Sequence, residues 1–221
     1  MEHRQAYWNR NVFWPSGKYS VDREFPSMSA EAMSFSTHRL HDRLESVLFG
    51  KDEIDRRIVE MGEEITTDME GSTLSVVAIL QGGALFMADL IRQIHLPLRI
   101  ESITVASYHG GTASSGTVSF RQNQMPDVEG RDVLVLDDIL DTGRTLSAVM
   151  ETISLKCKPR SIRSAVLLSK RIDRAVQIEA DYSGFDIGNE FVVGYGLDYK
   201  EEYRNLPVIG TLKSEYIDAD S

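Results

Sequence analysis

Short apolar runs alternate along the chain with stretches whose apolar residues have helical spacing. The run LSVVAIL at residues 74–80 has the length of a buried strand, and the segment ALFMADLIRQI after it places its apolar residues on one helical face. The same order returns at VLVLDD, residues 133–138, followed by the helical segment RTLSAVMETI at 144–153. Because such strands need cover on both faces, the pattern predicts an α/β fold with a mostly parallel, twisted sheet flanked by helices.

Further segments extend this architecture. Apolar residues between positions 51 and 69 recur on one helical face and predict another helix. The Gly- and Ser-rich stretch HGGTASSGT at 109–117 predicts a flexible loop. Other apolar runs predict four more strands, at residues 100–108, 163–169, 181–187 and 191–195.

The first 46 residues do not share this order. They contain Trp8, Trp14 and two prolines, and their periodicity is poor. We therefore expect an irregular N-terminal arm over residues 1–46 and a single domain over residues 47–221, a length that one hydrophobic core can serve.

Composition narrows the functional classes. The 221 residues carry a formal net charge of −10, which disfavours nucleic-acid and membrane partners because phosphate groups require clustered Lys and Arg. Cys157 is the one cysteine, so no internal disulfide can form. The chain shows no apolar leader and no apolar run of membrane-spanning length, and the expectation is a cytoplasmic protein.

The stretch VLVLDDILDTGRTL, residues 133–146, concentrates the candidate chemistry. In parallel sheets ligands bind at the carboxyl ends of the strands, and here an apolar strand leads directly into Asp137 and Asp138. Carboxylates at this position can hold Mg²⁺ or accept hydrogen bonds from sugar hydroxyls.

The turn after these acids has the features of a phosphate site. The helix that follows Asp141 begins with unpaired N–H groups and partial positive charge, which favour an anion. Gly143 permits close approach, and the hydroxyls of Thr142 and Thr145 can add donors. Asp141 lies at the edge of this turn, where a carboxylate can exchange a proton with a bound base.

Two alternatives remain open on these residues alone. Asp141 could simply cap the helix, with the other acids solvated. Asp137 and Asp138 could instead form an acidic pocket of the response-regulator kind, although such a pocket needs a further phospho-accepting Asp and a Lys at other strand ends.

The whole stretch, with a strand before it and a helix after it, resembles the phosphoribosyl-diphosphate (PRPP) motif of the type I phosphoribosyltransferases. LQGGALFMADL is similar to their diphosphate loop, and SYHGGTASSG to their mobile lid. LLSKR and FVVGYGLDYKEEYRNLP resemble the purine-binding region of hypoxanthine-guanine phosphoribosyltransferases. The resemblance runs from about Leu48 to Gly210. It implies the type I phosphoribosyltransferase fold, with a small hood built from N- and C-terminal segments.

The resemblance also implies an activity. The chain is expected to be a purine salvage enzyme that transfers the 5-phosphoribosyl group from PRPP to N9 of hypoxanthine, guanine or both, with Mg²⁺. The products would be IMP or GMP and diphosphate. The implied partners are therefore small molecules, and the family implies a homodimer or homotetramer.

Roles carried over from the family fall on matching positions of this sequence. Asp141 matches the general acid/base that handles the proton on purine N7, Lys170 the donor to O6, and Phe191 the ring that stacks on the base. The matched sets are phosphate and ribose (Asp137, Asp138, Thr142, Gly143, Arg144, Thr145), diphosphate (Gln81, Gly82, Arg204), purine (Lys170, Phe191, Val192, Asp198), lid (Ser107, Tyr108) and metal (Asp137, Asp138, Asp198).

Three positions depart from the family pattern. Gln81 stands where Lys or Arg is usual, Asp137 where Glu is frequent, and Arg144 where Lys is frequent. The change at Gln81 removes a charge that the family commonly offers to diphosphate. The family also commonly has a non-proline cis peptide in this loop, which here would join Leu80 and Gln81.

Two other functions are alternatives to the enzyme. One is an RNA-binding regulator of pyrimidine genes that keeps the PRPP motif, which the acidic chain and the pair Lys170 and Phe191 disfavour. The other is a catalytically dead structural subunit, which the intact Asp141 and Asp198 disfavour.

Overall fold

The computed structural model of the chain describes residues 40–106, 119–121 and 124–217. Three helices and nine strands are named below in chain order. They are β1 (Leu44–Phe49), α1 (Lys51–Asp68), β2 (Leu74–Leu80), α2 (Gly83–Leu90), β3 (Leu98–Ala106), β4 (Ser119–Phe120), β5 (Asp132–Leu140), α3 (Arg144–Cys157), β6 (Ser161–Lys170), β7 (Tyr182–Ile187), β8 (Val192–Val193) and β9 (Ile209–Leu212). A 3₁₀ turn, Ser214–Tyr216, follows β9.

A six-stranded sheet in the order β4-β3-β2-β5-β6-β7 forms the centre of the fold. Strands β3, β2, β5, β6 and β7 run parallel, and the two-residue β4 pairs antiparallel with β3. The prediction of a mostly parallel sheet is therefore confirmed. None of the helices within the described ranges has the length and apolar character needed to span a bilayer.

Alternate residues of β5 explain why this strand has a continuous apolar sequence. Leu134 and Leu136 pack into a core layer with side chains of α1 and α2, such as Ile58 and Phe86. Val133 and neighbouring residues of the opposite face pack into a second layer against α3. Both faces of the sheet are thus covered, as parallel sheets require.

The hood is a separate, three-stranded antiparallel sheet in the order β1-β9-β8. It has its own small core, which consists of Leu44, Val193, Tyr203, Leu206, Val208 and Leu212. A hood of N- and C-terminal segments was predicted and is confirmed. The predicted boundary between arm and domain at residues 46 and 47 falls inside β1, and residues 1–39 of the arm lie outside the described part.

Helix α2 is shorter than its sequence pattern predicts. The apolar spacing continues to Ile94, but the helix ends at Leu90. The backbone N–H of His95 donates to Thr66 Oγ1 of α1 at 3.0 Å, and the backbone at Gln93 packs closely on Gly62 of α1. Contacts with α1 therefore replace the last helical turn.

Candidate active site

Asp141 and Lys170 meet at the carboxyl ends of two adjacent parallel strands. Leu140 of β5 pairs with Ser169 of β6, which places the next residue of each strand side by side. The Lys170 ammonium donates to Asp141 Oδ2 at 3.0 Å. The lysine side chain is 10% exposed and the carboxylate 43%. The pair thus offers an ordered donor next to an accessible acceptor, the arrangement that can bind two neighbouring polar atoms on one edge of a planar base.

The amino terminus of α3 opens beside this pair. The residue before the helix is Gly143, with a left-handed φ of +79°, and no side chain among the described residues caps the helix. The first N–H groups of α3 are therefore available to an anion. Asp141 binds Lys170 instead of capping the helix, which removes the helix-cap alternative. Thr142 and Arg144 are exposed, and Thr145 is half-buried.

Asp137 and Asp138 lie in the last part of β5, which continues to Leu140 beyond the apolar run. The backbone N–H of Asp138 donates to Asp137 Oδ1 at 3.1 Å, and that of Ile139 donates to Asp138 Oδ1 at 2.8 Å. Burial raises the pKa of the Asp137 carboxyl well above its ordinary range, and the charge of Asp138 raises it further. Burial also raises the pKa of Asp138, although hydrogen bonds to its carboxylate and the charge of Arg204 oppose that shift.

This carboxylate pair fits a hard divalent cation. A buried acid next to a half-buried one is unfavourable without a compensating charge, and carboxylate oxygens are typical Mg²⁺ ligands. Among the described residues, no group of three or more His, Cys, Asp or Glu side chains could by itself hold a metal ion. Asp137 and Asp138 could therefore hold Mg²⁺ only together with oxygens from a ligand or water, as is common for this ion.

The predicted diphosphate loop begins at a cis peptide between Leu80 and Gln81, as the resemblance implied. A Cβ on Gly82 would overlap the Asp138 carboxylate. A Cβ on Gly196 of the hood segment would overlap the Gly82 carbonyl oxygen. The loop is therefore held between the strand acids and the hood, and Gln81 is exposed at its edge.

The hood brings two predicted ligands together. Arg204 Nη2 lies 2.7 Å from Asp198 Oδ1, and the Glu201 N–H donates to Asp198 Oδ2 at 2.9 Å. Arg204 Nη1 also donates to the Gly196 carbonyl at 2.7 Å. The residue matched to diphosphate binding and a residue matched to metal binding are thus paired with each other near the diphosphate loop.

Phe191 has the exposure of a base-stacking ring rather than of a core residue. Half of the side chain is exposed, and its ring meets the Tyr199 ring edge-on at a centroid distance of 5.6 Å. Val192, the next residue, is buried in β8. The lid residues Ser107 and Tyr108 lie outside the described residues.

Tyr195 anchors the hood segment to α2, a role that the sequence pattern did not reveal. It has a positive φ of 49° between Gly194 and Gly196, which also have positive φ, and its hydroxyl donates to Asp89 of α2. Burial, and then the Asp89 carboxylate, raise the pKa of the Tyr195 hydroxyl. The letters GYG in FVVGYGLDY indicate a turn, but no local signal identifies Asp89 as its anchor.

Comparisons with known proteins agree with this geometry. The family described as the phosphoribosyl transferase domain matches residues 50–200. The hypoxanthine-guanine phosphoribosyltransferase of Streptococcus pneumoniae R6 is 46% identical over 176 residues, which cover 80% of this chain and 97% of that protein. A crystal structure of a hypoxanthine phosphoribosyltransferase from Staphylococcus aureus has a TM-score of 0.77 and 44% identity, and the match covers 81% of this chain and 97% of that one.

A longer relative matches over more of the chain. The bifunctional protein TilS/HprT of Listeria monocytogenes is 43% identical over 212 residues, which are 92% of this chain. The same match covers 33% of that protein, so the chain spans about a third of the length of this bifunctional relative.

Proposed function

The chain belongs to the hypoxanthine-guanine phosphoribosyltransferase family, and from this membership we propose that it transfers the 5-phosphoribosyl group of PRPP to N9 of hypoxanthine, guanine or both. In this reaction the bond from purine N9 to ribose C1′ forms as the bond from C1′ to diphosphate breaks. The products are IMP or GMP and diphosphate.

The observation that carries the proposal is the Lys170–Asp141 pair. A 6-oxopurine presents O6 and N7 on one edge, next to each other. The Lys170 ammonium suits O6, and the Asp141 carboxylate suits the proton on N7, because donor and acceptor lie 3.0 Å apart. This edge recognition supports a 6-oxopurine as the accepting base, with Phe191 as the stacking ring and Val192 at the base edge.

The remaining matched residues suit binding of the separate parts of PRPP. The N–H groups at the start of α3, with Gly143 and the hydroxyls of Thr142 and Thr145, suit the 5′-phosphate. Asp137 and Asp138 suit the ribose hydroxyls and would hold Mg²⁺ together with oxygens from ligand or water, and Asp198 would supply a separate Mg²⁺ ligand. Bound Mg²⁺ would neutralise negative charge on the diphosphate leaving group. Gln81, Gly82 and Arg204 suit diphosphate, and Ser107 and Tyr108 would exclude water from the reacting centre as a lid.

In this proposal one contact of the hood competes with substrate. Asp198 and Arg204 are paired at 2.7 Å, so a diphosphate oxygen that takes this N–H of Arg204 displaces the Asp198 carboxylate from it. A homodimer or homotetramer, as the family implies, stays a prediction.

A panel of bases tests the proposal directly. The protein is mixed with PRPP, Mg²⁺ and one of hypoxanthine, guanine, xanthine, adenine or uracil, and diphosphate release is followed. We expect turnover with hypoxanthine, guanine or both. Adenine should react poorly, since its amino group would present a donor to the Lys170 ammonium.

Preference for adenine or uracil would contradict the proposed base recognition. Absence of diphosphate release with every base would contradict the proposed activity itself.

A further inference from the structure

Residues 171–181 join β6 to β7 and lie against two parts of the proposed active site. The Val176 N–H donates to the Thr142 carbonyl at 3.1 Å. A Cβ on Gly143 would come within 2.6 Å of the Val176 carbonyl oxygen. The segment therefore packs on the turn before α3, while its first residue directly follows Lys170.

Arg174 ties this segment to the end of β6. Its side chain is 5% exposed. Nη2 donates to Ser169 Oγ at 2.8 Å and to the Lys170 carbonyl at 2.9 Å. Nη1 donates to the Ile178 carbonyl at 3.0 Å and pairs with Glu179. One guanidinium thus joins the strand end that carries Lys170 to the returning half of the segment.

The buried Arg174 side chain does not optimise the stability of the fold. Its Nε is buried without a hydrogen-bond partner among the described residues. A buried N–H without a partner is unfavourable, and well-packed apolar side chains often replace buried charged groups without loss of stability. A planar guanidinium, however, can hold several acceptors in fixed directions, which neither an apolar side chain nor a lysine can do.

We infer that Arg174 is a positioning residue, which keeps Lys170 and the turn at Thr142 and Gly143 in fixed relative positions. The inference rests on the proposed function, in which Lys170 binds the base and the turn binds the 5′-phosphate of PRPP. Base and ribosyl donor react only when both are aligned, and a displacement of about 1 Å can lower a rate roughly 100-fold. Arg174 contacts no reacting atom in this account and acts through the residues it holds.

Two variants test the inference, with a third as a matched control. Arg174→Ala removes all the contacts, and Arg174→Lys keeps the charge but cannot bridge the same set of acceptors. Arg99→Ala removes a like charge at the opposite end of the sheet, where the Arg99 side chain is 60% exposed and lies 4.0 Å from Asp127. Melting temperature, kcat per folded molecule and the KM values for base and for PRPP are measured for each.

We expect both Arg174 variants to fold, with kcat lowered about tenfold or more and with both KM values raised, because both binding parts shift. Arg99→Ala should stay within about twofold of the wild type in all kinetic constants. If Arg174→Ala does not fold, the kinetic constants of Arg174→Lys test the inference instead.

A stabilising role alone would lower the melting temperature of the Arg174 variants and leave kcat and both KM values unchanged, which would overturn the inference. Failure of both variants to fold would overturn it as well. An active wild type with unaltered Arg174 variants contradicts only the positioning role. An inactive wild type in the same assay contradicts the proposed function.

Discussion

At the residue scale, the Asp141 carboxylate is both accessible and held next to the Lys170 ammonium. We expect Asp141→Asn to keep the fold and PRPP binding, because the amide has nearly the same shape. It should lower kcat by roughly 10²- to 10⁴-fold, because an amide cannot take the N7 proton. Diphosphate release measures kcat, and calorimetry measures PRPP binding. Unchanged turnover would remove Asp141 from acid/base catalysis.

The proposed role of Lys170 leads to a prediction about base binding. We expect Lys170→Ala to raise the KM for a 6-oxopurine by about tenfold or more and to change the KM for PRPP much less, since only O6 loses a charged donor. Initial rates at varied base and varied PRPP separate the two constants. Lys156→Ala, at an exposed position in the last turn of α3, is the control and should change neither. A larger effect on PRPP would contradict the assignment to O6.

The candidate site was predictable to the extent that each role depends on adjacent residues. The acids at the end of β5 and the turn through Gly143 follow one another in sequence, so their chemistry was apparent before the structure. The bond between Tyr195 and Asp89 joins residues 106 positions apart, and no local pattern encodes such a partner. The pairing of Asp198 with Arg204 was likewise missed, because each was matched to a ligand and not to the other.

At the element scale, long apolar runs were predicted well; of the hood strands, β8 lies within the predicted strand at 191–195, whereas β1 and β9 were not predicted. Strand β2 has the predicted bounds, because its residues are buried on both faces and therefore form one continuous apolar run. Strand β1 exposes several of its residues and is stabilised mainly by pairing with β9, more than 150 residues away. Strand β5 passes the end of its apolar run because β6 continues alongside it to Lys170, and pairing with β6 outweighs the weak strand preference of Asp.

The opposite ends of β5 and β6 allow a prediction about stability and pH. Asp132, whose side chain is 8% exposed, accepts hydrogen bonds from the Thr73 N–H at 3.0 Å, Arg160 Nε at 2.9 Å and Ser161 Oγ at 2.7 Å. The Arg160 hydrogen bond is the main cause that lowers the pKa of Asp132 to about 2. Because this pKa lies below that of the unfolded chain, the stabilisation is present above about pH 4 and is lost as the pH falls towards 2.

We therefore expect Asp132→Asn to lower the free energy of unfolding by about 2 kcal/mol at pH 7, with a difference from the wild type that narrows as the pH falls. Urea unfolding at a series of pH values measures it. Asp127→Asn is the matched control, since Asp127 is 84% exposed and its nearest ion-pair distance is 4.0 Å, and it should change stability little at any pH. A difference that stays constant from pH 7 to pH 2 would contradict the role of the Asp132 charge.

At the scale of the whole molecule, the net charge favours an enzyme over an RNA-binding regulator. With a net charge of −10, the chain should repel a phosphate backbone over most of its surface. We expect no gel shift with RNA at moderate salt. Tight binding that weakens steeply as salt is added would contradict this expectation and support the RNA-binding function.

Under the proposed function, the Asp198 carboxylate and the diphosphate of PRPP compete for Arg204. Diphosphate that binds Arg204 at Nη2 displaces this carboxylate, so the apparent affinity of that contact for PRPP is reduced by the fraction of molecules in which the pair is closed. Both side chains are about a quarter exposed, so water and salt weaken the pair and keep that reduction small. The same carboxylate returns to Arg204 after the reaction and so favours the departure of diphosphate.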